Sequence, residues 1–309
     1  MKLIINLFTC LLFLSVTAQE YINLETSEKF QCNWSDSHPD TSELDILKKY
    51  ETSKIQEIFN ELSYNSNIEF NYPQGGCQHR AHIMSMLLDK KLNIEHSKVW
   101  LFAPIDLEFE KKEMLFIDDK NNLTTDSNIK WNYHVAPIII NKNNDTLVID
   151  PSLDRKKPLE ISKWLKKIGN SQISKYTFIN PNNYFFYVKK KDGKFTNVIS
   201  GCFYKYIDYT KNNFTLEKGL ALNDVAIEYF DKYMTNLQSK NTSTEKLQDL
   251  RLIFGNATTI GNIFDLKNGN YSNDVKTALE RNQEIVNDAQ KSFDIRLEYW
   301  KKIIVELGR

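Results

Sequence analysis

Three residues in this chain have side chains that can cooperate in nucleophilic chemistry. Cys77 lies in Phe70-Asn71-Tyr72-Pro73-Gln74-Gly75-Gly76-Cys77-Gln78-His79-Arg80-Ala81-His82, where a turn-rich stretch gives way to a helix. His134 lies in the strand-like run Trp131-Asn132-Tyr133-His134-Val135-Ala136, and Asp150 in Ile149-Asp150-Pro151-Ser152. A thiol, an imidazole and a carboxylate in that order are the parts of a Cys-His-Asp site. The carboxylate holds the imidazole tautomer and the imidazole activates the sulfur. A cysteine at a helix N-terminus sits near the positive end of the dipole, which favours the thiolate. The glycines before it allow close approach to the backbone, and N–H groups near Gly76 and Cys77 can then hold an oxyanion.

The elements around them make this grouping plausible. Asn141-Lys142-Asn143-Asn144-Asp145 has hairpin-loop composition and joins strands expected at about 131–140 and 146–150. With the loop centred on Lys142, His134 faces Asp150 directly, and a slip of two residues leaves them diagonal neighbours. Trp131 and Tyr133 flank the base, either as an aromatic wall of the site or as core residues of the strand. The other histidines compete poorly. His82 is five residues from Cys77 and points away from it, so it reads, like His79, as a packed helix residue; His38 and His96 stand in polar surroundings without a partner. The Cys and His spacings match no zinc pattern, and there is no phosphate-cradling glycine loop. Neither a zinc site nor a nucleotide-phosphate site is expected from these spacings.

Along the rest of the chain, Thr41 and Ser42 open an expected helix with Leu44, Leu47, Tyr50, Ile55, Ile58, Phe59 and Leu62 at threes and fours. A second runs from Cys77 to about Lys90. Val99 to Phe102 reads as a short strand, followed by a charged excursion over about 106–130. A short helix from Ile161 to Ile168 and strands near 176–179, 184–189 and 195–199 bring the chain to about residue 205. After a linker near 206–215 the pattern is helical, over 216–239, 243–254 behind Thr242 and Glu245, and about 273–307. The expected fold class is α+β with a helical C-terminal extension. The divisions are 1–18, 19–41 (irregular), 42–205 (catalytic) and 215–309 (helical).

The N-terminus sets the expected compartment. Lys2 precedes an apolar run from Leu3 to Leu14 that is too short to span a bilayer, and Ser15-Val16-Thr17-Ala18 supplies small residues for cleavage after Ala18. Residues 1–18 therefore read as a signal peptide and the protein as secreted or periplasmic, with no membrane span. The 40 basic and 40 acidic residues balance, and no basic stripe with interleaved aromatics appears, which argues against nucleic acid as a partner. Of the 4 cysteines, Cys10 departs with the leader. The odd remainder is satisfied if Cys32 pairs with Cys202 and leaves Cys77 reduced, the alternative being that all stay unpaired.

Three motifs in order carry a family resemblance: Phe70-x-Tyr72-Pro73-x-x-Gly76-Cys77-x-x-Arg80-Ala81-His82-x-Met84, Trp131-x-Tyr133-His134-Val135-Ala136 and Ile149-Asp150-Pro151-Ser152-Leu153. With Asn180-Pro181-Asn182-Asn183-Tyr184 and Ser200-Gly201-Cys202, they make residues 42 to 205 resemble bacterial secreted protein-glutaminases. The resemblance implies a transglutaminase-like, papain-related fold with an antiparallel sheet. It also implies deamidation of protein-bound glutamine, with Cys77 as nucleophile, His134 as base and Asp150 as orienting acid. A transglutaminase or a cysteine peptidase would use the same triad, and a non-catalytic adhesion or interaction protein is the reading from a different class.

Overall fold

A computed structural model describes residues 20–21, 44–107, 110–120, 123–124, 127–188, 190–191, 194–195, 201–205, 216–235, 244–266 and 271–308. The leader, His38, Cys32, the 206–215 linker and the side chain of Cys202 lie outside the described residues, and with them the expected Cys32–Cys202 pairing.

The strands are β1 (Glu20–Tyr21), β2 (Lys49–Tyr50), β3 (Ser97–Phe102), β4 (Leu115–Asp118), β5 (Asn128–Trp131), β6 (Tyr133–Asn141), β7 (Thr146–Val148), β8 (Leu159–Glu160), β9 (Lys175–Ile179), β10 (Asn183–Val188), β11 (Lys190–Lys191), β12 (Lys194–Phe195) and β13 (Gly201–Lys205). Seven form one sheet in the order β1-β9-β3-β6-β7-β8, with β2 also on β6. Its long pairings are antiparallel, and the two-residue strands β1 and β2 join β9 and β6 in parallel. β3 and β6 are buried on both faces, and their alternating residues feed different cores. Val99, Leu101, Ala136 and Ile138 go to one side; Trp100, Phe102 and Val135 go to the side that also takes Cys77 and Ala81.

The helices are α1 (Thr52–Asn60), α2 (Cys77–Met86), α3 (Pro104–Leu107), α4 (Ile161–Lys166), α5 (Leu216–Tyr229), α6 (Thr244–Phe254), α7 (Ala257–Gly261), α8 (Asn273–Arg281) and α9 (Gln283–Glu306). The expected helix from Thr41 begins only at Thr52. Before it come one tight turn at Leu44–Ile46 and then β2. The reason is packing: Leu44 and Leu47 reach the core on one side of the sheet, while Ile55, Ile58, Phe59 and Leu62 fill that on the other. No straight helix serves both. The expected helix over 273–307 is broken at Asn282, whose buried amide donates to Asp249 Oδ2 (2.9 Å) and Ala278 O (2.8 Å). The charged excursion hides a hairpin, β4–β5, and Gly201–Lys205 is a strand on β10. Trp131 closes β5 and so stands on a different strand from His134.

α5 lies between α2 and α9, and Leu216, Leu220, Val225 and Tyr229 are at most 1% exposed. They share a single core with Ile55, Phe59 and Ile83 of the first half of the chain. Burying one such side chain is worth about 1.5–3 kcal/mol, so these four approach the whole net stability of an ordinary domain, about 5–15 kcal/mol. A helix held that way is a permanent layer of the fold. Truncation after residue 214 is therefore expected to give an insoluble or molten product. A soluble product with a sharp melting transition would show instead that the first half folds without the helices.

Candidate active site

α2 starts at Cys77 because Gly76, at φ +75°, turns the chain into it with a left-handed conformation that glycine adopts freely. The approach loop is fixed from three sides. Arg80 Nη1 donates to Tyr72 O (3.1 Å), Trp131 Nε1 donates to Pro73 O (2.8 Å), and the Tyr72 hydroxyl donates to Phe254 O at the end of α6 (2.9 Å). The Cys77 thiol is 7% exposed and has Gln78 Oε1 as a weak acceptor at 3.7 Å.

His134 and Asp150 are together. His134 Nε2 donates to Asp150 Oδ2 at 2.8 Å, and both groups are buried. The hairpin register pairs Ile138 with Val148 and Ile140 with Thr146, which centres the loop on Asn143 rather than Lys142. His134 and Asp150 are thus diagonal, with His134 opposite Leu101 on its other side and Asp150 in the turn after β7. A two-residue slip preserves the face of the sheet, so the pair survives it. The second oxygen-holding donor is Trp164 of α4, whose Nε1 bonds Asp150 Oδ2 at 2.8 Å, while Ser152 N donates to Oδ1 at 3.2 Å.

These contacts set the charges. Burial pushes Asp150 towards the neutral acid. The His134 charge, the bonds from His134 and Trp164 and the Arg80 guanidinium outweigh it and hold the carboxyl below its ordinary range. Burial likewise favours neutral His134, but Asp150's charge and hydrogen bond, with a further contribution from Cys77, push its pKa up to about 9. Nδ1 of the ring is buried, has no hydrogen-bond partner of ordinary length, and is left for the sulfur. Imidazolium character is also favoured by the stacked indoles of Trp131 (centroids 4.5 Å apart) and Trp164 (5.6 Å).

Tyr133, half-buried, donates its hydroxyl to Gln78 Oε1 (3.0 Å) and packs on Trp100. Gln78 Nε2 meets His79 Nε2 at 3.1 Å, and His79 Nδ1 meets the Tyr184 hydroxyl at 2.5 Å. Burial, with Arg80's charge, lowers the His79 pKa to about 3, so this ring stays neutral. His82 receives a hydrogen bond from buried Lys98 (2.9 Å). His96, expected in polar surroundings without a partner, is buried and donates to Ile94 O at 2.9 Å. Sequence reasoning missed Trp164 and the loop-holding role of Arg80. Arg80 carried a signal, one helical turn after Cys77 and able to reach back over the loop; Trp164 carried none. A cavity of about 560 Å³ adjoins the approach loop and the turn after Asp150, lined by Pro73, Asp119, Ser152, Arg155 and Lys167 among others but not by Cys77, His134 or Asp150. Among the described residues no group of His, Cys, Asp and Glu converges as a metal site, and no helix is long and apolar enough to cross a membrane.

His134 gains its proton affinity on folding. Its stabilising contribution is therefore complete below the ordinary histidine value of about 6.5 and is lost as the pH rises towards about 9. NMR titration of the His134 ring should place its proton loss near pH 9. Asp150→Asn should move it sharply down, and a wild-type midpoint near the ordinary value would refute the ion pair. Gly76→Ala should destabilise by about 1–3 kcal/mol, since alanine is strained at positive φ.

Residues 55–168, which contain all three groups, match the family model described as glutaminase. Two solved structures are similar to the chain. The NMR structure of protein-glutaminase from Chryseobacterium proteolyticum is 21% identical, with 48% of this chain and 80% of that one covered at a TM-score of 0.35. The crystal structure of a mutant of pro-protein-glutaminase is 18% identical, with 62% of each chain covered at a TM-score of 0.41. The match thus spans less than two thirds of that pro-form. No curated protein matches.

Proposed function

We propose that this chain, which carries a glutaminase-family segment over residues 55–168, is an exported protein-glutamine deamidase of transglutaminase-like fold, working through a cysteine thioester. One observation carries the reading. The His134 imidazole is tied through Nε2 to a buried carboxylate at 2.8 Å, which leaves Nδ1 to act on Cys77.

The Cys77 thiolate attacks the side-chain carboxamide carbon of a substrate glutamine. The carbonyl π electrons move to oxygen, and backbone N–H groups near Gly76 and Cys77 stabilise that oxyanion. Collapse breaks the carbon–nitrogen bond, and protonated His134 delivers the proton that lets ammonia leave. Neutral His134 then takes a proton from water as the water attacks the γ-glutamyl thioester, giving glutamate and the free thiolate. Asp150 keeps the imidazole in the tautomer that both half-reactions use. With the His134 pKa near 9, the proton donor is present at neutral pH and is lost on the alkaline side. Trp131 and Trp164 keep bulk water off the ring, and Tyr133 belongs to the wall beside the thiol. No step calls for a cofactor, and the partners are proteins or peptides that present glutamine.

Ammonia release from carbobenzoxy-Gln-Gly and from unfolded casein is the expected activity, each modified glutamine gaining about one mass unit without change in chain length. Cys77→Ala should abolish it with little change in melting temperature. Asp150→Asn should lower turnover by about four orders of magnitude through the wrong tautomer, as in other triads. New peptide termini would make the protein a peptidase. Amine-labelled or crosslinked product as the main outcome would make it a transglutaminase.

A further inference from the structure

Asn223 stands in an unusual place. It is carried by α5, outside the 55–168 segment, and is 3% exposed. Its carboxamide lies against Gly76, the residue before Cys77, so closely that a Cβ at Gly76 would fall 2.9 Å from Asn223 Cγ and nearer still to both amide heteroatoms. Asn223 Nδ2, the closest of these atoms, is buried and has no hydrogen-bond partner. A buried donor without an acceptor costs about 1–3 kcal/mol. The apolar residues on the same face of α5, Leu220, Ala226 and Ile227, are buried, and a leucine at 223 would join them without that cost.

The donor lies against Gly76, the residue that caps α2, at a helix end where backbone N–H groups already favour negative charge. That is also where negative charge appears when Cys77 attacks a carbonyl. α5 is locked into the core, so the amide is held in position before any substrate arrives. A fixed, dehydrated donor without a ground-state acceptor is the form that transition-state stabilisation takes, because it forms its bond only when the charge develops.

We propose that Asn223 is a catalytic residue. Its Nδ2–H donates to the oxyanion of the tetrahedral intermediate alongside the Cys77 backbone N–H, so the C-terminal helices supply part of the active site. The step is the one already described: the S–C bond forms, the carbonyl π pair moves to oxygen, and that oxygen accepts the hydrogen bond until the pair returns and ammonia departs. This inference rests on the acyl-transfer reading of Cys77 but does not depend on which amide is the substrate.

Asn223→Leu and Asn223→Asp separate this role from packing. Both should lower kcat for ammonia release by about 10²–10³-fold, as loss of one oxyanion donor does elsewhere, with KM changed little. The Asn223→Leu melting temperature should hold or rise, since an unpaired buried donor has been removed. Alkylation of Cys77 by iodoacetamide, a displacement that forms no oxyanion, should proceed at the wild-type rate. Capture of a peptide aldehyde, whose hemithioacetal oxygen occupies the oxyanion position, should weaken in parallel with kcat. Unchanged kcat and unchanged aldehyde capture in the leucine variant would overturn the proposal, and so would a loss of activity accompanied by an equal loss of alkylation rate. A wild-type protein that captures the aldehyde but releases no ammonia would sink the deamidase reading, and the aldehyde comparison would still decide the role of Asn223.

Discussion

The rest of the site depends on keeping Asp150 charged where water does not reach. A lone carboxylate in that position would take up a proton or leave the core. Four groups prevent this: the His134 ring, the Trp164 indole N–H, the Ser152 amide and the more distant Arg80 guanidinium. The compensation runs both ways, since the retained negative charge is what lets a fully buried imidazole hold its proton. Removing one partner of such a pair typically costs about 3–5 kcal/mol. The arrangement therefore fixes the start of β6, the turn after β7 and the middle of α4 relative to one another.

The loop before Cys77 is constrained just as heavily, by contacts from outside the sheet. Arg80 closes it from the helix it leads into, Trp131 from β5, and Phe254 from the C-terminal layer. Gly76 has room only for a hydrogen on the side that meets Asn223, and Gly219 has the same relation to the His79 ring. Two glycines, one just before α2 and one within α5, thus bring the two helices together at short range. The polar chain from Tyr133 through Gln78 and His79 to Tyr184 runs alongside the same contact.

The His134–Asp150 pair was legible because strand alternation is robust. The hairpin loop is centred one residue further on than its composition suggested, yet an even slip returns every side chain to the same face. The helix start at Cys77 was legible from the glycines before it. Helix limits were not, because spacing by threes and fours records which residues are apolar and not which core takes them. Leu44 and Leu47 fit a helix with Ile55 and Phe59 in spacing but belong to the opposite side of the sheet. Asn282 looks like an ordinary polar residue inside a long helix, and only its pairing with Asp249 explains the break. Trp164 and Asn223 matter through contacts distant in sequence, and no local pattern announces them.

The bond from Tyr72 to Phe254 spans 182 residues. A chain made from its N-terminus has all three polar groups of the site in hand when Asp150 is added, while both the carbonyl that anchors the loop before Cys77 and the helix that covers Gly76 are still to be synthesised. Closing so long a loop comes late among folding events, after the local pairing of β6 with β7. The thiol therefore acquires its final surroundings last, and a nascent or truncated chain carries the three side chains without the architecture that aligns them.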